Sequence, residues 1–116
     1  MASTCWTCRK TLKGTYIAAC MADGVFREVD GGGRTLRELV PGPAPKKNGA
    51  HAVVPLPDGR VLASTGYGKS FVEFDADGKV VWEFGQKDVP PGYKLDYTCS
   101  IQLLGNGNRL VSTYHG

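Results

Sequence analysis

An all-β chain built from short antiparallel meanders is what this sequence predicts, and three observations carry that reading. Apolar runs of about five residues recur along the chain, and each is bounded by Gly, Asp or Asn. Glycine supplies 16 of the 116 residues, which suits many tight turns. No apolar period near 3.6 survives beyond one turn between glycines, so amphipathic helices are excluded.

Residues 1–4 read as an irregular start. Cys5 to Leu12 reads as a first strand, with Trp6, Cys8 and Leu12 as buried positions, and Lys13-Gly14 turns the chain. Tyr16–Cys20, Val25–Val29 and Thr35–Leu39 are three further strands, separated by Met21–Gly24 and by the Asp30–Gly33 hairpin. From Val40 to Gly49 the composition shifts to a loop. Prolines at 41, 43 and 45 remove backbone donors and forbid a central strand.

The stretch from His51 to Phe84 repeats the pattern most clearly. Leu56-Pro57-Asp58-Gly59 and Asp75-Ala76-Asp77-Gly78 are turns in which Asp bonds its own backbone and Gly takes positive φ. Asp75 and Asp77 are therefore read as turn residues rather than calcium ligands, because the further oxygen ligands of an EF-hand loop are missing from the sequence. Val80, Trp82 and Phe84 are predicted to share one face, with Val81 on the other. A second long loop, Gly85 to Asp96, leads to strands Tyr97–Leu104 and Arg109–Thr113, joined by Gly105-Asn106-Gly107. His115, at the end, carries no predicted role.

These units are copies. Sliding the first onto the second by 45 residues brings Gly14 onto Gly59, Ala18 onto Ala63, Phe26 onto Phe71, Glu28 onto Glu73 and Asp30 onto Asp75. Sliding the second onto the third by 48 brings Leu56 onto Leu104, Gly59 onto Gly107, Leu62 onto Leu110, and Ser64-Thr65 onto Ser112-Thr113. A period in the forties with four short strands per unit is the signature of β-propeller blades. A lone sheet that is apolar on both faces stays wet on one of them, and stacking neighbouring units covers both. The predicted architecture is a single partial propeller domain over 1–116: a blade at 5–39, a blade at 51–84, and a half blade at 97–113.

Composition limits the function classes. A net charge of +3, with acidic and basic residues interspersed, gives no nucleic-acid footprint. No run approaches the ~20 apolar residues of a membrane span, and the first residues lack the pattern of a signal peptide. Cys5-x-x-Cys8 has no second pair or histidine pair to complete a zinc set, so Cys5, Cys8, Cys20 and Cys99 read as small buried strand residues and no metal or cofactor is expected.

The motif His51-x-Val53-x-x-Leu56-Pro-Asp-Gly59-Arg-Val-Leu62, with Val72-Glu-Phe-Asp75 and Gly78-Lys-Val-Val-Trp82-Glu, resembles the blades of PQQ-like and arylsulfotransferase-like bacterial β-propellers. Gly78-x-x-x-Trp82 is similar to their tryptophan-docking motif, in which an outer-strand Trp packs on the next blade. NHL-type propellers share much of this pattern. The resemblance covers 50–113 well and 5–39 less well, where Arg37 replaces Trp82. It implies a periplasmic or secreted setting.

About two and a half blades do not close a ring of four or more. The expected partners are further blades, from a longer chain or from copies of the chain itself. Ligands would meet the face lined by loops 40–50 and 85–96. These loops hold Lys46, Lys47, Asn48, Lys87, Asp88, Tyr93, Lys94 and Asp96. His51 opens a first strand beside that face and is the candidate catalytic residue. Cys99 and Trp6 occupy its place in the other units. Lys47, Asn48, Tyr93, Asp96, Tyr97 and Cys99 are the candidate ligand-binding residues. The leading expectation is a binding scaffold for a small molecule, glycan or protein. Part of an arylsulfotransferase-like or PQQ-dependent enzyme is the alternative. A lectin-like ring of copies, with stacking surfaces from Trp6, Tyr67, Tyr93 and Tyr97, is a third reading.

Overall fold

The computed structural model describes residues 5–114, with side chains from residue 7 onward. The readings made for residues 1–4, for the Trp6 side chain and for His115 lie outside this range. Among the described residues, ten strands form three antiparallel units. Unit 1 holds β1 (Cys5–Lys10), β2 (Tyr16–Cys20), β3 (Val25–Val29) and β4 (Thr35–Leu39), paired in that order. Unit 2 repeats the meander with β5 (Ala52–Pro55), β6 (Val61–Ser64), β7 (Phe71–Phe74) and β8 (Val80–Phe84). Unit 3 pairs β9 (Tyr97–Leu103) with β10 (Arg109–Tyr114). The helical content of the described residues is one three-residue 3₁₀ turn, Gln86–Asp88, inside the second long loop.

The turns follow from their residues. The Asp75 carboxylate accepts the amides of Asp77 and Lys79, both at 2.9 Å, and Gly78 takes φ +87°. The Asp30 carboxylate accepts those of Gly32 and Arg34 at the same distance, with Gly33 at φ +86°. One aspartate thus closes the β3–β4 and β7–β8 hairpins at equivalent repeat positions.

The units stack face to face. We denote as face A the side on which one unit presents residues to the next, and as face B the side that receives them. Ile17, Ala19, Phe26 and Leu39 of unit 1 form one buried cluster with Val53, Val61, Ala63, Val72 and Phe74 of unit 2. Phe26 meets Phe74 edge to face, with ring centroids 5.9 Å apart. Unit 2 turns Leu62 and Phe71 the other way, onto Ile101 of unit 3, with Trp82, Phe84 and Val111 packed alongside. β6 and β7 are consequently buried at every position. The first strands β1, β5 and β9 lie side by side.

Several expectations are corrected. β1 ends at Lys10 because Thr11 closes a turn, donating its amide to the Thr15 carbonyl at 2.8 Å and accepting from Gly14. Leu12 therefore sits on that turn, 82% exposed. Cys8 is also exposed, since nothing described covers face B of unit 1 there, while Cys20 is buried and Cys99 half-buried. Val80 does not share a face with Trp82. The ladder pairs Glu73 with Trp82 but Phe74 with Val80, so Val81 is an extra, bulged residue and the alternation flips. The same irregularity recurs between Glu28 and Val29 in unit 1.

Candidate functional site

His51 stands where the three units meet. Its amide donates to the Ser64 carbonyl of unit 2 at 3.0 Å. Its carbonyl accepts the Thr7 hydroxyl of unit 1 at 3.0 Å. Its Nδ1 lies 2.9 Å from the Tyr97 hydroxyl of unit 3. The residue is held through main chain and side chain at once, which fixes the ring.

Tyr97 is the centre of an aromatic cluster. Its ring meets the imidazole edge to face at 5.1 Å and Tyr67 edge to face at 4.7 Å. A third side is backbone: Gly66 has φ +59°, and a Cβ there would lie 3.1 Å from the phenol ring. Glycine suits both this φ and the close approach of the β6–β7 turn to the ring. That turn is braced by buried hydroxyls. Thr98 donates to the Ser70 carbonyl at 2.8 Å and accepts the Thr65 amide at 3.1 Å, while Gly66 and Thr98 exchange both main-chain hydrogen bonds. Tyr67 projects from this braced turn and is 52% exposed, so it offers a ring to solvent beside a half-buried partner.

Burial lowers the pKa of His51 and raises that of Tyr97. At neutral pH the imidazole is therefore neutral and the phenol keeps its proton, and in the tautomer that carries its proton on Nε2 Tyr97 donates and Nδ1 accepts. Cys99 lies two residues along β9, and its carbonyl accepts the Ser64 hydroxyl. Burial raises the pKa of its thiol, which keeps it protonated and a poor nucleophile.

The remaining predicted residues spread around this cluster. Lys47 is exposed, and Asn48 adopts φ +59°, a conformation Asn tolerates. Gly24 of unit 1 presses on the same loop, since a Cβ there would fall 2.0 Å from the Lys46 carbonyl. Tyr93, 64% exposed, and Asp96 line a shallow depression with Lys69 and Lys94. Gln86 clamps that loop by donating to the Tyr93 carbonyl and accepting the Leu95 amide, both at 2.7 Å. The structure thus brings His51, Tyr97 and Cys99 together and leaves Lys47 and Asn48 in one loop and Tyr93 and Asp96 in the other.

Two buried glutamates went unrecognised in the sequence as charge centres. Glu28 accepts the Thr15 hydroxyl and Arg37 Nε, the latter at 2.7 Å, and Lys13 lies 3.8 Å away. Burial pushes its carboxyl up, but these partners outweigh burial and its pKa is lowered. Arg37 continues to the Ala76 and Gly59 carbonyls of unit 2, at 2.8 and 3.2 Å. Glu73 accepts Arg60 at 3.0 Å and also Arg109 of unit 3, whose guanidinium lies 4.1 Å over the Trp82 ring. The signal available in the sequence was a Glu inside an apolar strand, repeated at the 45-residue shift. A cavity of about 200 Å³ opens beside Glu28, Arg37 and Leu56, at the far end of β5 from His51. The Glu28 carboxylate there is already engaged by Thr15 and Arg37, so we read the cavity as the seam between two units and place the candidate site at His51.

Among the described residues no cluster of three or more His, Cys, Asp or Glu is placed to hold a metal, and no helix is long and apolar enough to cross a membrane. No protein-family model and no curated protein matches the chain. Among solved structures, the crystal structure of a protein of unknown function from Bacteroides caccae aligns with a TM-score of 0.77 at 21% identity, over 94% of this chain and 38% of that one. The chain thus spans little more than a third of that protein's length, and the likeness is one of fold: all-β, in four-stranded antiparallel sheets with almost no helix.

Proposed function

We propose that the chain is a β-propeller repeat segment that acts as a binding scaffold, completed by further blades, with the face between loops 40–50 and 85–96 taking a small polar molecule or glycan. The observation that carries this reading is the His51–Tyr97–Tyr67 cluster. It is pinned to three units, lies at the end of the strands where both long loops emerge, and leaves one aromatic ring open to solvent. A braced ring beside a neutral hydrogen-bonding pair suits the apolar face and hydroxyl edge of a sugar.

The test is a chemical-shift titration of the full chain with 4-nitrophenyl β-glucoside and cellobiose. Shifts are expected at His51, Gly66–Lys69 and Tyr97. Tyr67→Ala should weaken binding about fivefold, the scale of one aromatic contact of roughly 1 kcal/mol. Shifts confined to the turns at 11–15 and 56–60 would overturn the assignment.

The Tyr97–His51 hydrogen bond also supports a second reading, in which His51 serves as general acid or base in a larger enzyme of the arylsulfotransferase type. Release of 4-nitrophenol from 4-nitrophenyl sulfate in the presence of a phenol acceptor, lost in His51→Ala, would favour it over the scaffold.

A further inference from the structure

The repeat makes the two faces of each unit distinct. Face A carries Ile17, Ala19, Phe26, Glu28 and Leu39 in unit 1, and Leu62, Ser64, Phe71, Glu73 and Phe84 at the equivalent places in unit 2. Face B of unit 2 carries Val53, Val61, Ala63, Val72 and Phe74. In both contacts within the chain, face A of one unit covers face B of the next. Among the described residues, no unit stacks on face B of unit 1 or on face A of unit 3. Unit 3 shows face A through Leu110 and Ser112, which stand at the positions of Leu62 and Ser64, together with Leu104 and Tyr114. Leu62 is fully buried, whereas its counterpart Leu110 is 59% exposed. Face B of unit 1 carries Cys8, which is exposed, and Tyr16, Ala18 and Arg27, which are half-buried, and Arg27 stands where unit 2 has Val72.

We propose that face A of unit 3 takes face B of unit 1 from a second copy of the chain, head to tail. The proposal rests on the repeat-stacking reading above and adds the partner. Three observations favour this occupant over a generic apolar one. The contact is a continuation of two interfaces already present in the chain, in the same sense and with equivalent residues. Both halves are displayed by one chain, so copies suffice. Their polarity is also matched. Unit 3 offers Ser100, Gln102 and Ser112, neutral acceptors in which the Ser100 and Ser112 hydroxyls lie 2.7 Å apart. Unit 1 offers Arg27, held by Asp23 and Glu38 at 2.9 Å each, in place of an apolar residue. Such a heterologous contact makes a ring if its rotation closes and a filament if it does not.

The test is sedimentation velocity of the full chain from micromolar to millimolar concentration. The parent chain should grow in size with concentration. Leu110→Glu spoils face A, and Ala18→Glu, opposite Arg27 in the β2–β3 ladder, spoils face B. Each variant should keep its far-ultraviolet circular dichroism and lose self-association by at least about tenfold. The decisive arm is their mixture, in which each variant retains the face the other lacks. It should form a one-to-one pair that grows no further. A parent chain that stays monomeric throughout overturns the proposal. So does a dimer indifferent to Ala18→Glu, which would instead mark pairing of two β10 edges. The sugar titration is read on the dilute monomer, so either result stands without the other.

Discussion

Burial lowers the basicity of His51, and its Nδ1 lies 2.9 Å from the hydroxyl of a tyrosine whose pKa burial raises. A histidine with a depressed folded pKa contributes its full stability above the unfolded value near 6.5 and loses it as pH falls through the folded value. The chemical-denaturation midpoint should therefore decline as pH drops below about 6.5, and less so in His51→Gln. In the tautomer with its proton on Nε2 the imidazole accepts from Tyr97, a bond that favours its neutral form, so the His51 pKa should rise in Tyr97→Phe. The proton-coupled shifts of His51 followed by NMR across pH 5–8 check this directly. An unchanged pKa would mean that Tyr97 does not donate to it.

At the scale of elements, unit 3 is a two-stranded hairpin, which in isolation is marginal in water. It is held by Ile101 and Val111 on one apolar cluster and by Arg109, stacked over Trp82 and paired with Glu73. Trp82→Ala should leave β1–β4 unaffected and speed amide exchange across β9–β10, as measured by hydrogen exchange of the native protein. The turn-bounded strands were legible in the sequence because Asp-x-x-Gly and Pro-Asp-Gly fix the breaks locally. Leu12 was misjudged because apolarity does not reveal that Thr11 has already turned the chain. The bulge at Val81 was hidden for a similar reason, since alternation assumes an unbroken register. The meeting of His51 with Tyr97, 46 residues away, depends on how units stack, and local pattern does not encode it. His51 and Cys99 are nonetheless legible as one repeat position near the start of a first strand, and Tyr97 as an aromatic residue beside the second long loop. The ion pairs of Glu28 and Glu73 were not, because each draws partners from other strands or another unit.

For the molecule as a whole, the same side chain at equivalent repeat positions measures how far the stack extends. Leu62 and Leu110 lie 48 residues apart in register, one fully buried between units 2 and 3 and the other 59% exposed on unit 3. Truncating a buried leucine removes its transfer free energy and leaves a cavity, a loss of about 2–5 kcal/mol. Truncating an exposed one costs within about 0.5 kcal/mol. In dilute solution Leu62→Ala should therefore lower the denaturation midpoint sharply and Leu110→Ala barely at all. Raising the protein concentration changes the comparison: if copies stack head to tail, Leu110 becomes a buried residue of a new interface, and Leu110→Ala should acquire a concentration-dependent penalty that Leu62→Ala already shows in full. Denaturation curves for both variants at two well-separated concentrations decide the matter. A Leu110→Ala deficit that stays small at both would mean that the outer face of unit 3 meets solvent rather than another copy.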